Sequence, residues 1–215
     1  MAVRDEFISD ERYAGTVRFV GMGWSKFHET YGFRLQLEYQ SASALKNYNV
    51  SAMITQYRLG LSYLYPVGGL QLMAKKVAVY LGPTAELFLH YRKQNIANGG
   101  DILDVYSFAS LFSGGIRSEA VLPISEDLQA QAAVQTSIVS LGGRIVDPLN
   151  SSTSFTKLLT LLAGFNADAE IKISYRLTDA LVAAADYRFD LTRISAWDFF
   201  ISADDNFVAS LSYGF

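Results

Sequence analysis

The sequence predicts an all-β protein, an antiparallel up-and-down barrel. Three observations lead there. Apolar and polar residues alternate with a period of two over long stretches, which a helix of 3.6 residues per turn cannot hold on one face. The chain is rich in Tyr (13), Phe (14) and Gly (16) and poor in Pro (4), a composition suited to pleated strands. Two of the longest alternating stretches meet at Thr178-Asp179, the signature of a tight hairpin.

In chain order, residues 1–11 are set apart as an N-terminal segment, and 12–215 form one domain with no repeat, low-complexity tract or linker. Residues 12–27 read as a strand. Phe33, Leu35, Leu37 and Tyr39 then alternate with Arg34, Gln36, Glu38 and Gln40. Tyr57, Leu59, Leu61, Tyr63 and Tyr65 alternate with Arg58, Gly60 and Ser62. From Val77 to Tyr91 the odd positions are apolar, and Glu86, His90 and Arg92 lie on the other face. Tyr106, Phe108, Phe112, Ile116 and Ala120 oppose Ser107, Ser113, Arg117 and Glu119; Leu128, Ala130, Ala132, Val134 and Ile138 oppose Gln129, Gln131, Gln135 and Ser137. Between residues 161 and 177 the odd positions are apolar, against Asp168, Glu170, Lys172 and Arg176. After the hairpin, Leu181 to Leu191 repeat the pattern against Asp186, Arg188 and Asp190, and Phe207 to Phe215 form the last strand. That makes eight strands after residue 31. With 12–27 there would be nine, whereas bacterial barrels have an even number. Either 12–27 folds inside the lumen or at its rim, or strands in the first 75 residues are split or merged; eight is the expected count and ten the alternative.

Composition excludes several classes. With 18 Lys+Arg against 21 Asp+Glu the net charge is −3, so nucleic acid is not the expected partner. Half the residues are hydrophobic, yet no run of ~18 apolar residues forms a membrane helix. No cysteine and only two histidines, His28 and His90, leave little for metal or triad chemistry, and no metal, cofactor or catalytic residue is assigned. The stretch Met1 to Glu6 has no basic segment followed by an apolar one, so either the protein is cytoplasmic or the numbering starts after a removed signal peptide.

The same alternation fits a soluble lipocalin-like carrier with an apolar cavity, or a membrane barrel with an apolar outside. Strands of about 15 residues exceed the ~9–11 needed to cross a bilayer, as when barrel walls extend beyond the lipid. The apolar face carries almost no charge, and a cation at the bilayer midplane costs about 2–4 kcal/mol. Tyr63, Tyr65, Tyr175, Tyr213 and Phe215 fall near short turns or the terminus, and Tyr31, Tyr91 and Tyr106 near connections read as long, at 43–49, 93–103, 144–157 and 195–204. Two interfacial girdles and long loops at one end suit an outer-membrane barrel.

The ending Phe207 to Phe215, with a terminal aromatic and apolar residues at every second position, resembles the terminal-strand signal by which outer-membrane barrels are recognised by their assembly machinery. Phe207, Leu211, Tyr213 and Phe215 occupy the signal positions. The stretch Val77 to Ala85 resembles the "vylGaGp" strand of small PorT-like barrel domains, with one glycine of that motif absent. The chain is thus similar to small Gram-negative outer-membrane barrels, PorT-like or OmpX-like. The resemblance implies residence in the outer membrane, contact with its lipids and lipopolysaccharide, handling by the assembly machinery and a periplasmic position for residues 1–11.

Inside such a barrel the alternation places Arg34, Arg58, Arg117, Lys172, Arg176 and Arg188 with Glu38, Glu86, Glu119, Asp168, Glu170, Asp186 and Asp190. Six cations nearly balance seven anions, and a small barrel's interior is just wide enough for side chains to fill. The expectation is a lumen ion-pair network and a non-enzymatic structural or binding component, or a subunit of a membrane complex with a membrane-protein partner. A narrow solute channel is the alternative. A third reading is a lipid A-modifying enzyme using His90, Glu86 and Ser107, but the His-x-Ser-Asn pattern of deacylases is absent. His28 reads as a loop residue, Trp197 to Ile201 as the start of the last strand, and Gly68-Gly69, Gly99-Gly100 and Gly142-Gly143 as turns or bends. Sequons at Asn49 and Asn150 fall in expected surface loops.

Overall fold

The computed structural model describes residues 1–5, 9–28, 30–47, 50–72, 75–98, 101–147, 153–160, 163–195 and 200–213. Its strands are β1 (Ala2–Asp5), β2 (Ser9–Ala14), β3 (Arg18–Phe27), β4 (Gly32–Asn47), β5 (Val50–Leu72), β6 (Lys75–Asn98), β7 (Asp101–Pro123), β8 (Leu128–Asp147), β9 (Thr153–Thr160), β10 (Gly164–Arg176), β11 (Leu181–Ile194) and β12 (Phe200–Tyr213). All pairings are antiparallel, and β1, β2, β4, β5, β6, β7, β8, β10, β11 and β12 hydrogen-bond in a closed ring of ten. Two wall positions are each divided between two strands. β8 pairs β9 through Val139–Val146 and β10 through Leu128–Thr136. On the other side, β4 meets β2 at Ala14 opposite Lys46 among the described residues, then pairs β3 from Ser41 to Gly32.

The count is ten, and not the eight expected. Residues 12–27 belong to the wall, partnered with β4, and do not fold into the lumen. The remaining strand, β1, comes from residues 1–11, expected to precede the domain; it lies between β12 and β2. Four residues are too few for a period of two to show, yet this strand makes the count even and lets the ends of an up-and-down sheet meet.

Strands also extend into the connections read as long. β4 runs to Asn47 and β5 resumes at Val50; β6 runs to Asn98 and β7 resumes at Asp101; β8 reaches Asp147. Polar residues such as Gln94 and Arg144 were read as loop because they interrupt the apolar pattern, but both are buried on the inner face of strands. Tyr31 also changes ends. It stacks on Tyr63 at 5.6 Å, beside the connection from β3 to β4, at the end that carries the 177–180 turn.

Facing follows the pleat. On β5, Tyr57, Leu59, Leu61, Tyr63 and Tyr65 are exposed while Gln56 and Ser62 are buried. On β8 the parity switches partway: Ser137 and Ser140 are buried, whereas Ile138 and Val139 are both exposed. A bulge opposite Gly114 and Gly115 accounts for the switch, since one extra residue turns every later side chain to the other face. Of the glycine pairs, Gly68-Gly69 sits at a register shift in β5, Gly142-Gly143 lies within β8, and Gly99-Gly100 is outside the described residues.

Candidate functional site

The most distinctive part of the molecule is the interior of the ring. Every second residue of long strands converges there, so polar side chains from well-separated parts of the chain must find one another or remain buried without partners. Arg34 on β4 donates to Glu119 on β7 at 2.6 Å. Arg117 lies 3.5 Å from the same Glu119, 3.0 Å from Glu170 and 3.7 Å from Asp168. Arg58 on β5 pairs with Asp190 on β11 and lies 3.4 Å from Glu86. Arg188 pairs with Glu38 and lies 3.3 Å from Asp186. Neutral groups complete the arrangement: Gln135 donates to Glu86 at 3.0 Å and Asn166 donates to it at 2.8 Å.

These contacts cross the interior and do not merely follow neighbouring strands. β5 and β11 are opposite members of the ring, so the Arg58–Asp190 pair spans its full width. Little space is left at that level: the cavity bounded by Glu38, Arg58, Glu86, Arg117, Asp168 and Asp190 has a volume of about 20 Å³. That is room for about one water molecule.

Of the thirteen lumen residues read from the sequence, eleven are joined by these ion pairs. Lys172 is half-buried at the edge of the group, opposite Asp186 in the β10–β11 pairing. Arg176 faces solvent beside the 177–180 turn, with its backbone N–H held by the carbonyl of Asp127 at 2.8 Å. It lies where β10 ends and the ring no longer encloses its inner face.

The interior also holds a second layer that the period of two did not disclose. Above the charges, Val3, Tyr13, Leu45, Ile54, Phe88, Leu111, Leu159, Ile194 and Phe200 form one buried apolar cluster. His90 is fully buried in it, its ring 5.0 Å from Phe200 and 6.1 Å from Phe88. Arg92, fully buried as well, lays its guanidinium over Tyr13 at 4.4 Å and donates to Gln94. A rule of polar inside and apolar outside misses apolar residues that face inward; Ile54 and Phe88 share inner-face parity with Gln56 and Glu86, and that parity was the available signal.

The proposed catalytic trio is not assembled as a site. Glu86 is occupied by Arg58, Gln135 and Asn166, and His90 lies among aromatic rings with no exposed surface. Ser107 is buried opposite Arg92 on β7. Among the described residues no group of acids and histidines could hold a metal ion. His28 is exposed, stacked on Tyr31 at 5.5 Å and 3.4 Å from the Thr30 hydroxyl.

The outer surface is apolar. Leu37, Leu59, Leu61, Leu81, Phe112, Ile116, Val134, Ile171 and Ile173 are all exposed. Phe207, Leu211 and Tyr213 of the terminal strand are exposed too, Phe207 to 88%, with its ring 4.9 Å from Tyr187. Phe215, Trp197, Asn49 and Asn150 lie outside the described residues. Beyond the apolar stretch of β6, Lys93 pairs with Asp104 at 2.7 Å. The hydrogen bonds to Asp104 and Tyr106 raise the Lys93 ammonium above the ordinary lysine range, and the bond from Lys93 lowers the Asp104 carboxyl below the ordinary aspartate range.

No protein-family model matches the chain, and no curated protein matches it significantly.

Proposed function

We propose that this chain is an integral outer-membrane β-barrel with a side-chain-filled lumen, serving as a non-enzymatic structural or binding component of its membrane or as a subunit of a membrane complex. The observation that carries the reading is the inversion of polarity: charges close the interior, from Arg58 across to Asp190, while the outer wall presents leucine, isoleucine and phenylalanine. In water such a wall would be an apolar patch far larger than soluble monomers tolerate. In lipid it is the expected surface, and pairing round the ring satisfies most backbone groups of the described strands, which hydrocarbon cannot do. A soluble carrier would need the reverse arrangement. A channel would need a passage where the cavity holds about one water.

On this reading the wall contacts outer-membrane lipids and lipopolysaccharide. The terminal strand with Phe207, Leu211 and Tyr213 outward is the segment offered to the assembly machinery. Tyr31, Tyr63, Tyr65 and Tyr175 form a girdle at the end of the 177–180 turn. A membrane-protein partner would meet the wall or the opposite end.

The test is semi-native electrophoresis of detergent-folded protein with and without boiling, paired with circular dichroism and conductance in planar bilayers. A β spectrum, a band that shifts on boiling and no unitary current are expected. Folded, monodisperse protein without detergent would overturn the membrane assignment, and discrete current steps would overturn the filled lumen.

A further inference from the structure

Among the described residues, β3 pairs with β4 along one edge, and β12 from Asp204 to Tyr213 pairs with β11 along one edge. Their other edges face each other across a cleft in the wall. The cleft consists of two cavities, about 760 Å³ and about 790 Å³, which share Gly21, Ser210 and Leu211 as lining residues. Each has the size of a ligand pocket, ~300–1,000 Å³.

The two cavities differ in polarity. The first runs beside Val20, Phe207 and Leu211, each at least 67% exposed on the outer wall, and its acid, Asp205, lies at the end away from the 177–180 turn. The second opens outward at Met22 and Trp24 and passes between glycines on β3, Gly21 and Gly23, and serines on β12, Ser210 and Ser212. Side chains that small leave a way through the wall, and it ends at Arg34, Lys172 and Arg188 on the inner face. A greasy outer length that leads to an inner cationic pocket has the polarity of an amphiphile with an anionic head.

The charges of the second cavity do not cancel. Lys26, Arg34, Lys172 and Arg188 line it, against Glu38 and Asp186. Arg188 takes both acids, and Arg34 is paired with Glu119 outside the cavity. Lys172, half-buried, and Lys26, exposed, are left without an ion pair among the described residues. A half-buried ammonium is costly to leave without an anion, and phosphate oxygens accept strong charge-assisted hydrogen bonds from lysine and from backbone N–H groups at a strand edge.

We propose that this cleft is the binding site of one anionic phospholipid, its phosphate beside Lys172 and Lys26 and its acyl chains along Val20, Met22 and Leu211. The inference rests on the membrane reading, because a bilayer supplies the lipid. It adds a particular site and headgroup charge to a wall that otherwise meets lipid without selection. A zwitterionic lipid is disfavoured, since it brings its own cation to the two lysines.

Trp24 lines the cleft and reports on it alone once Trp197→Phe removes the other tryptophan. The full chain is folded into phosphatidylcholine vesicles, which are then titrated with phosphatidylglycerol or phosphatidylcholine carrying brominated acyl chains, quenchers of tryptophan on contact. Trp24 should select brominated phosphatidylglycerol by about 25-fold, roughly fivefold for each lysine near an anionic headgroup. Lys172→Gln and Lys26→Gln should each lower the selection to about fivefold. Lys26 is exposed, so its variant gives the reading should Lys172→Gln fail to show the boiling shift of folded protein. Lys76, exposed at the same end of the barrel on β6, is the control, and Lys76→Gln should leave the selection unchanged.

Equal quenching by the two brominated lipids, with the boiling shift intact, would overturn the site and leave the membrane reading standing. Quenching by neither lipid, with no boiling shift, would overturn both. A loss in Lys76→Gln as large as in Lys172→Gln would reduce the selection to general surface attraction and overturn the site. Loss of selection in millimolar inorganic phosphate would assign the lysines to the free ion and overturn the lipid.

Discussion

Glu119 sits at the junction of the interior network, 2.6 Å from Arg34 and 3.5 Å from Arg117. Its two cations are not equally dependent on it. Arg117 keeps Glu170 at 3.0 Å, whereas Arg34 has its ion pair through Glu119. Breaking a buried pair from one side strands the other charge and costs about 3–5 kcal/mol, whereas replacing both members by apolar groups of similar volume is often neutral. Glu119→Ala should therefore lower the midpoint of denaturant unfolding in detergent by an amount in that range, and Arg34→Met/Glu119→Met should recover most of it. A loss below about 1 kcal/mol in the single variant would mean that water or a neighbouring group serves Arg34 instead.

At the scale of elements, close approach between strands decides where a side chain is tolerated. A Cβ on Gly115 would lie 2.1 Å from the carbonyl oxygen of Thr136, a backbone atom of the paired strand that cannot move aside. The adjacent Gly114 would meet only Val139 Cγ1 at 3.7 Å. Gly115 also marks the bulge that reverses the facing of β8, so moving it would disturb the inner face of Ser140 and Arg144 together. Gly115→Ala should be destabilised by about 1–3 kcal/mol or more, as overpacked sites are, with a weaker heat-shifted band. Gly114→Ala should fold like the parent protein. Equal behaviour of the two variants would refute the close approach.

At the scale of the molecule, the decisive quantity is the size of the outer wall's response to charge. Leu59 is 42% exposed on β5, flanked by outward Tyr57 and Leu61. Leu59→Arg at a water-facing position should change stability by less than about 0.5 kcal/mol. At a lipid-facing position near the midplane it should cost about 2–4 kcal/mol. Folding titrations in lipid vesicles are expected to give the larger value, and a near-zero change would remove the wall from the membrane.

The alternation by itself determined that the protein is antiparallel β, which residues share a face, and that charges of both signs gather on one of them. Leu37 and Glu38, or Phe189 and Asp190, could be assigned to opposite faces without knowing any partner, because pleating is a local property of the backbone. Only the tertiary structure decided the number of strands, since β1 is too short to carry a pattern and its place is fixed by β12, which lies at the other end of the sequence. The same holds for which acid meets which base: Arg58 and Asp190 are brought together by ring closure, and closure depends on strand number and stagger over the whole sheet. The apolar layer around His90 arises in the same way. Facing is written residue by residue along the chain, whereas what each face meets is set by how the last strand returns to the first.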